Sequence, residues 1–91
     1  MYQIKQYTHE QAKKLGVEVK PSKNKTKKFD VFKNGVKLAS VGTQGMGDYP
    51  TYIETKGIEY ANERRRLYKL RHDKDRHVKN SNGFYADQLL W

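Results

Sequence analysis

Two alternating runs, Phe29-Asp30-Val31-Phe32-Lys33 and Val36-Lys37-Leu38-Ala39-Ser40-Val41, meet at Asn34-Gly35. Both central positions of a type I′ turn need positive φ, which Asn and Gly accept with little strain, and the twist of this turn suits paired antiparallel strands. A two-residue turn also sets the register. Val31 is expected opposite Leu38 and Phe29 opposite Ser40, which puts Phe29, Val31, Val36 and Leu38 on one face as the core surface. Phe32 and Val41 then occupy the other face.

The remaining punctuation divides the chain around this hairpin. Thr8-His9-Glu10-Gln11 has the form of a capping box, and the run through Ala12 and Leu15 stops at Gly16, which predicts a short first helix. Val17 and Val19 alternate with Glu18 and Lys20 ahead of Pro21, a brief strand. Lys23, Lys25, Lys27 and Lys28 follow in a segment with nothing to bury, read either as a solvated loop or as a strip for phosphate. Gly42, Gly45 and Gly47 lead to Asp48-Tyr49-Pro50, an N-cap with an early proline, and the helix after it is expected to pause at Gly57. Glycines before a helix can present N–H groups to an anion, but the Gly-Lys-Ser/Thr ending of a P-loop is missing, so they are read as a tight turn.

From Ile58 to Asp73, a helical projection gathers Tyr60, Ala61, Arg64, Leu67, Tyr68, Arg71 and His72 in one arc. Arginines thus fall on the face that should meet the protein, with Arg64, Tyr68 and Arg71 close enough to stack. An arginine there needs a counter-anion. Asp48, Glu54 or the terminal carboxylate of Trp91 could supply it, or phosphate oxygens from outside. Asp75 to Asn82 reads as a connector, and Gly83 to Trp91 as an amphipathic terminal helix.

Charge narrows the partners. Nineteen Lys and Arg against ten Asp and Glu give +9 over 91 residues, enough for long-range attraction to a polyanion. With no cysteine, there is no disulfide framework and no thiolate metal cage. No stretch reaches the roughly 20 apolar residues of a membrane span, and the start lacks a signal-peptide core; a soluble intracellular protein is expected. His72, Asp73, Asp75 and His77 could recruit a divalent ion for phosphodiester chemistry, but the spacing fits no zinc motif and straddles a helix end. No cofactor and no resident metal are expected.

Lys20-Pro21-Ser22, Lys27-Lys28-Phe29 with Asn34-Gly35, Gly45-x-Gly47-Asp48-Tyr49, Arg65-Arg66-Leu67-Tyr68-x-x-Arg71-His72, and Gly83-x-Tyr85-Ala86 before Leu89-Leu90-Trp91 form a combined pattern. It resembles small basic proteins of unknown function encoded by large DNA viruses of algae and amoebae and by some bacteriophages. The resemblance runs from about residue 20 to 91, and many members carry threonine at the position of Pro50. It implies a viral origin, in the host cytoplasm or nucleus and in the virion, and carries over no catalytic or binding residue. Residues 1–20 are read as an N-terminal addition to a single small basic domain.

The fold expected is α+β, a small antiparallel hairpin-based sheet packed on one long helix and a short C-terminal helix, with Tyr68, Leu67, Phe29, Val31, Leu38, Leu89 and Trp91 in its core. The function expected is non-enzymatic binding of a nucleic-acid backbone without base specificity. Arg64, Arg65, Arg66, Lys69, Arg71, Lys74 and Arg76 are the candidate contacts, with Lys23, Lys25, Lys27 and Lys28 as a second strip. The alternative is a structural virion protein that contacts acidic capsid or internal proteins, with Leu90 and Trp91 as anchors. A metal-dependent nuclease is third.

Overall fold

The hairpin forms around its turn, with Asn34 and Gly35 at φ of 52° and 79°. The structure, a computed structural model, describes residues 2–91. Strands β2 (Lys27–Lys33) and β3 (Val36–Thr43) pair antiparallel, and β1 (Glu18–Pro21) adds to the other edge of β2.

The register departs from the expected one just beyond the turn. Lys33 faces Val36 and Phe32 faces Lys37, but Val31 faces Ala39 and Phe29 faces Val41. Leu38 is an extra residue in β3, a β-bulge. Because strand side chains alternate, one inserted residue swaps the faces of everything after it. The core face is therefore Phe29, Val31, Ala39 and Val41, all buried, while Leu38 is 40% exposed and Val36, beside the turn, 61%. Val41 takes the inward place expected for Leu38.

Helix α1 (Gln6–Leu15) ends at Gly16 in the left-handed conformation. Its start is not the expected capping box, since Lys5 sits at the N-cap without a side-chain cap bond. Thr8 instead lies buried in the first turn and donates its hydroxyl to the Leu89 carbonyl at 2.8 Å. That carbonyl belongs to the last turn of α4 (Asn82–Leu90), where carbonyls have no partner within the helix. Thr8 thus caps another helix rather than its own. With β1 in the sheet and α1 packed on α4 and β1, Ala12 lies in the common core and Tyr7, Leu15, Val17 and Val19 pack against it.

After β3 the chain forms two helices, α2 (Tyr49–Lys56) and α3 (Ile58–Arg71). Asp48 caps α2 by accepting from the Thr51 N–H at 2.9 Å. Gly57 separates the helices at φ 94° and ψ 165°, a backbone region essentially restricted to glycine. The pause expected at Gly57 is thus a full break between α2 and α3, and the hydroxyl of Tyr49 bridges it by donating to Asn62 Oδ1 at 2.9 Å. The result is an α+β domain with a three-stranded antiparallel sheet and four helices.

The inward stripe of α3 is Ala61, Arg65 and Tyr68, continued by His72 at its C-terminal cap, with Arg64 beside it. Leu67 and Tyr60 stay at the surface, 37% and 44% exposed, contrary to expectation. Arg64 and Arg65 are half-buried in place of Leu67. Tyr85, Leu89, Leu90 and Trp91 complete the core with Ala12 and Tyr49. Leu90 and Trp91 are inside and unavailable as surface anchors.

Replacing Gly57 by alanine puts a side chain in a disfavoured backbone region and is expected to cost about 1–3 kcal/mol. Urea denaturation of G57A against the parent protein measures it.

Candidate nucleic-acid interface

The ends of β2 and β3, the Gly42–Gly47 loop, α3, and the turn leading into α4 enclose an open cleft of about 620 Å³. Aromatic rings form much of its floor. Trp91 stacks on Tyr68 with centroids 4.4 Å apart and planes 9° off parallel. His72 stacks at 4.4 Å and 29° on the same tyrosine. Tyr52 tilts toward Trp91 at 6.1 Å, and its ring lies so close to Gly47 that a Cβ there would collide with it. Burial, and then the charge of Asp87, pushes the Tyr68 phenol above its ordinary value.

The Arg64–Tyr68–Arg71 stack expected from spacing does not form, because Trp91 and His72 lie against Tyr68. Arg64 reaches across to Tyr52, its guanidinium carbon 5.8 Å from the ring centre. Arg65 points toward α1 and α2, lying 3.5 Å over the Tyr49 ring and donating to the Tyr7 hydroxyl at 3.2 Å. It is a packing cation, separate from the cleft.

The structure sorts the remaining candidates by whether an acid already holds them. Lys28 is not on an exposed strip; its amine meets Asp48 at 2.7 Å, with the two side chains 3% and 1% exposed. Lys69 meets Asp87 at 2.7 Å, Arg76 lies between Asp73 at 3.1 Å and Asp87 at 3.9 Å, and Arg66 pairs with Glu63 at 2.6 Å. Among the described residues, no carboxylate lies within ion-pair distance of Arg64, Arg65, Arg71, Lys74, Lys23, Lys25 or Lys27. Of these, Arg64, Arg71 and Lys27 line the cleft, with Asp75 as its acid. The Arg64 Nε–H is screened from solvent and has no acceptor among the described residues, a costly state for a donor. Lys23, Lys25 and Lys74 are exposed elsewhere, so the eleven candidates do not form one surface.

Two of the acids expected to neutralise the arginines are engaged otherwise. Glu54 binds Lys5 at 2.7 Å. Asp48 accepts from Lys28, from the Tyr2 hydroxyl at 2.8 Å, and from the Thr51 N–H. Burial raises the pKa of Asp48, but the bonds from Lys28 and Thr51 outweigh it and hold the carboxyl below its usual range. Burial, followed by the charge of Asp48, pushes the Tyr2 phenol well above its ordinary value.

The His-Asp run does not converge. His72 faces Asp75 at 3.7 Å and His77 faces Asp73 at 3.3 Å, and among the described residues no three such groups gather around a point. In the glycine loop, the Gln44 and Met46 N–H groups donate to the Thr26 and Thr43 carbonyls, so these two are not offered to an anion. No helix among the described residues is long and apolar enough to cross a membrane.

Sequence reasoning missed Asp87 as an anchor for Lys69 and Arg76, and missed the convergence of Lys27, Tyr52 and His72. The position of Asp87, the one charged residue of the terminal helix, was the available signal for the first. Nothing in local spacing signals the second. In comparisons with known proteins, no family model, curated protein or solved structure matches the chain.

Replacing Asp48 with asparagine strands the Lys28 ammonium and is expected to cost roughly 3–5 kcal/mol in urea unfolding. The depressed native pKa means that the contribution of Asp48 is complete above the unfolded value of about 4 and drains as pH falls through the native one. Thermal melts should show this acid limb flattened in D48N, with a remainder from Asp30, whose pKa is also lowered. Tyr2 has the opposite sign. Its contribution is complete below about pH 10 and declines as pH rises through the raised native value.

Proposed function

We propose that this protein binds a nucleic-acid strand through its phosphates, without reading base sequence and without catalysing a reaction on it. The observation that carries the reading is that Arg64, Arg71 and Lys27 line one cleft with no carboxylate within ion-pair distance among the described residues. A guanidinium suits phosphate because its fixed fork of donors matches the oxygens. The net charge of +9 adds a long-range pull that brings a polyanion to the surface. Lys23, Lys25 and Lys74, exposed and without acid partners, extend the attraction beyond the cleft.

Five of the eleven expected contacts are left out, Arg65 because it packs on Tyr49 and Tyr7 and four because acids hold them. Lys28, Lys69, Arg66 and Arg76 already have acids, and moving any of them to phosphate would strand a carboxylate. The exposed Arg66–Glu63 pair is the weakest of these, because surface pairs hold little free energy.

Binding to labelled DNA should fall linearly on a logarithmic salt scale, with a slope of about −0.7 per phosphate contacted on a single strand and −0.9 on a duplex. R71A and K27A should each remove about one contact's worth of slope. Affinity that is absent at low salt, or indifferent to salt, rules the function out.

A further inference from the structure

The cleft combines the two chemistries of a nucleotide, cations for phosphate and flat rings for a base. Trp91, Tyr68 and His72 make a continuous stack of three rings. Trp91 is 9% exposed, so its end of the stack is closed by protein. At the other end the His72 side chain is 39% exposed and lines the cleft along with Arg64, Arg71 and Lys27. A planar heterocycle placed on His72 would extend the stack by one ring, while its phosphate lay within the same group of cations.

We propose that this cleft seats an unpaired nucleobase against His72, so that the strand bound is single rather than duplex; the proposal rests on the phosphate-binding reading above. Bases in a duplex are already stacked on their neighbours and present only their edges in the grooves. The aromatic floor can be used only by a base whose face is free. Duplex binding would favour a protruding cationic element, and α3 does not provide one. Its outward side carries exposed Glu59 and Glu63, and Arg66 there is bound to Glu63. Three of the unpaired cations, Arg64, Arg71 and Lys27, lie in a recess, and a recess suits a flexible strand that can turn a base inward. Every base has a flat face, so such a seat tolerates any sequence.

The chain has a single tryptophan, so Trp91 emission reports on the stack directly. Three probes separate the cases: a thymidine oligomer of about 12 nucleotides, an abasic strand with the same number of phosphates, and a duplex of that length. The thymidine strand should bind on the order of tenfold more tightly than the abasic strand, with a similar salt slope, and should change Trp91 emission. H72A should bring its affinity down to that of the abasic strand. H72F, which keeps a flat ring and carries no charge, should retain the preference. Thermal melts show that each variant is folded before it is titrated. Equal binding of thymidine and abasic strands, or tighter binding of the duplex, overturns the base seat and leaves the phosphate reading standing. Failure of all three probes to bind at low salt overturns both.

Discussion

The buried contact between Lys28 and Asp48 determines where the parts of this molecule sit. Two opposite charges, 2.7 Å apart and almost wholly removed from water, add little net stability, because desolvation offsets their attraction. Each is nonetheless very costly without the other. The pair therefore acts as a constraint more than as a glue. Lys28 belongs to the sheet, Asp48 opens α2, Tyr2 adds its hydroxyl from the N-terminal segment, and the Lys28 stem fills the space where a side chain on Gly42 would lie. The start of α2 is fixed against the sheet, which sets Tyr52 over the glycine loop and α3 beside the cleft.

The same separation of paired from unpaired charge runs through the molecule. Asp87, itself 4% exposed, holds Lys69 of α3 and lies near Arg76 of the following turn, tying the last helix to the one before it. Arg65 uses its flat cation as packing between Tyr49 and Tyr7. A chain of net charge +9 thus spends several cations on its own architecture. The recess is left to Lys27, Arg64 and Arg71.

Local rules made much of the fold legible. The Asn34-Gly35 turn, the stop at Gly16, the cap at Asp48 and the interruption at Gly57 each follow from backbone chemistry within a few residues. The bulge at Leu38 escaped because it depends on which face of β3 the α4 helix covers, a property of packing rather than of the turn. Thr8 was misassigned for a similar reason. Its spacing to Gln11 imitates a cap, but its hydroxyl answers a carbonyl 81 positions away. At the candidate site, the types of residue were visible and their grouping was not. Arg64 and Arg71 stood out as cations on an inward arc, yet Lys27, Tyr52 and Trp91 join them only through tertiary contact, and nothing in the spacing of Arg65 tells that it faces the other way.

The cleft is walled by segments far apart along the chain, from Lys27 in the sheet to Trp91 after the last helix. Unfolding scatters these walls, so an occupant that needs them together has no comparable foothold on the disordered chain. By mass action such an occupant works as a clamp: its free concentration, measured against its dissociation constant, adds logarithmically to the resistance of the protein to heat and denaturant. For a domain this small, the durability of the fold and the company it keeps then become one thermodynamic quantity.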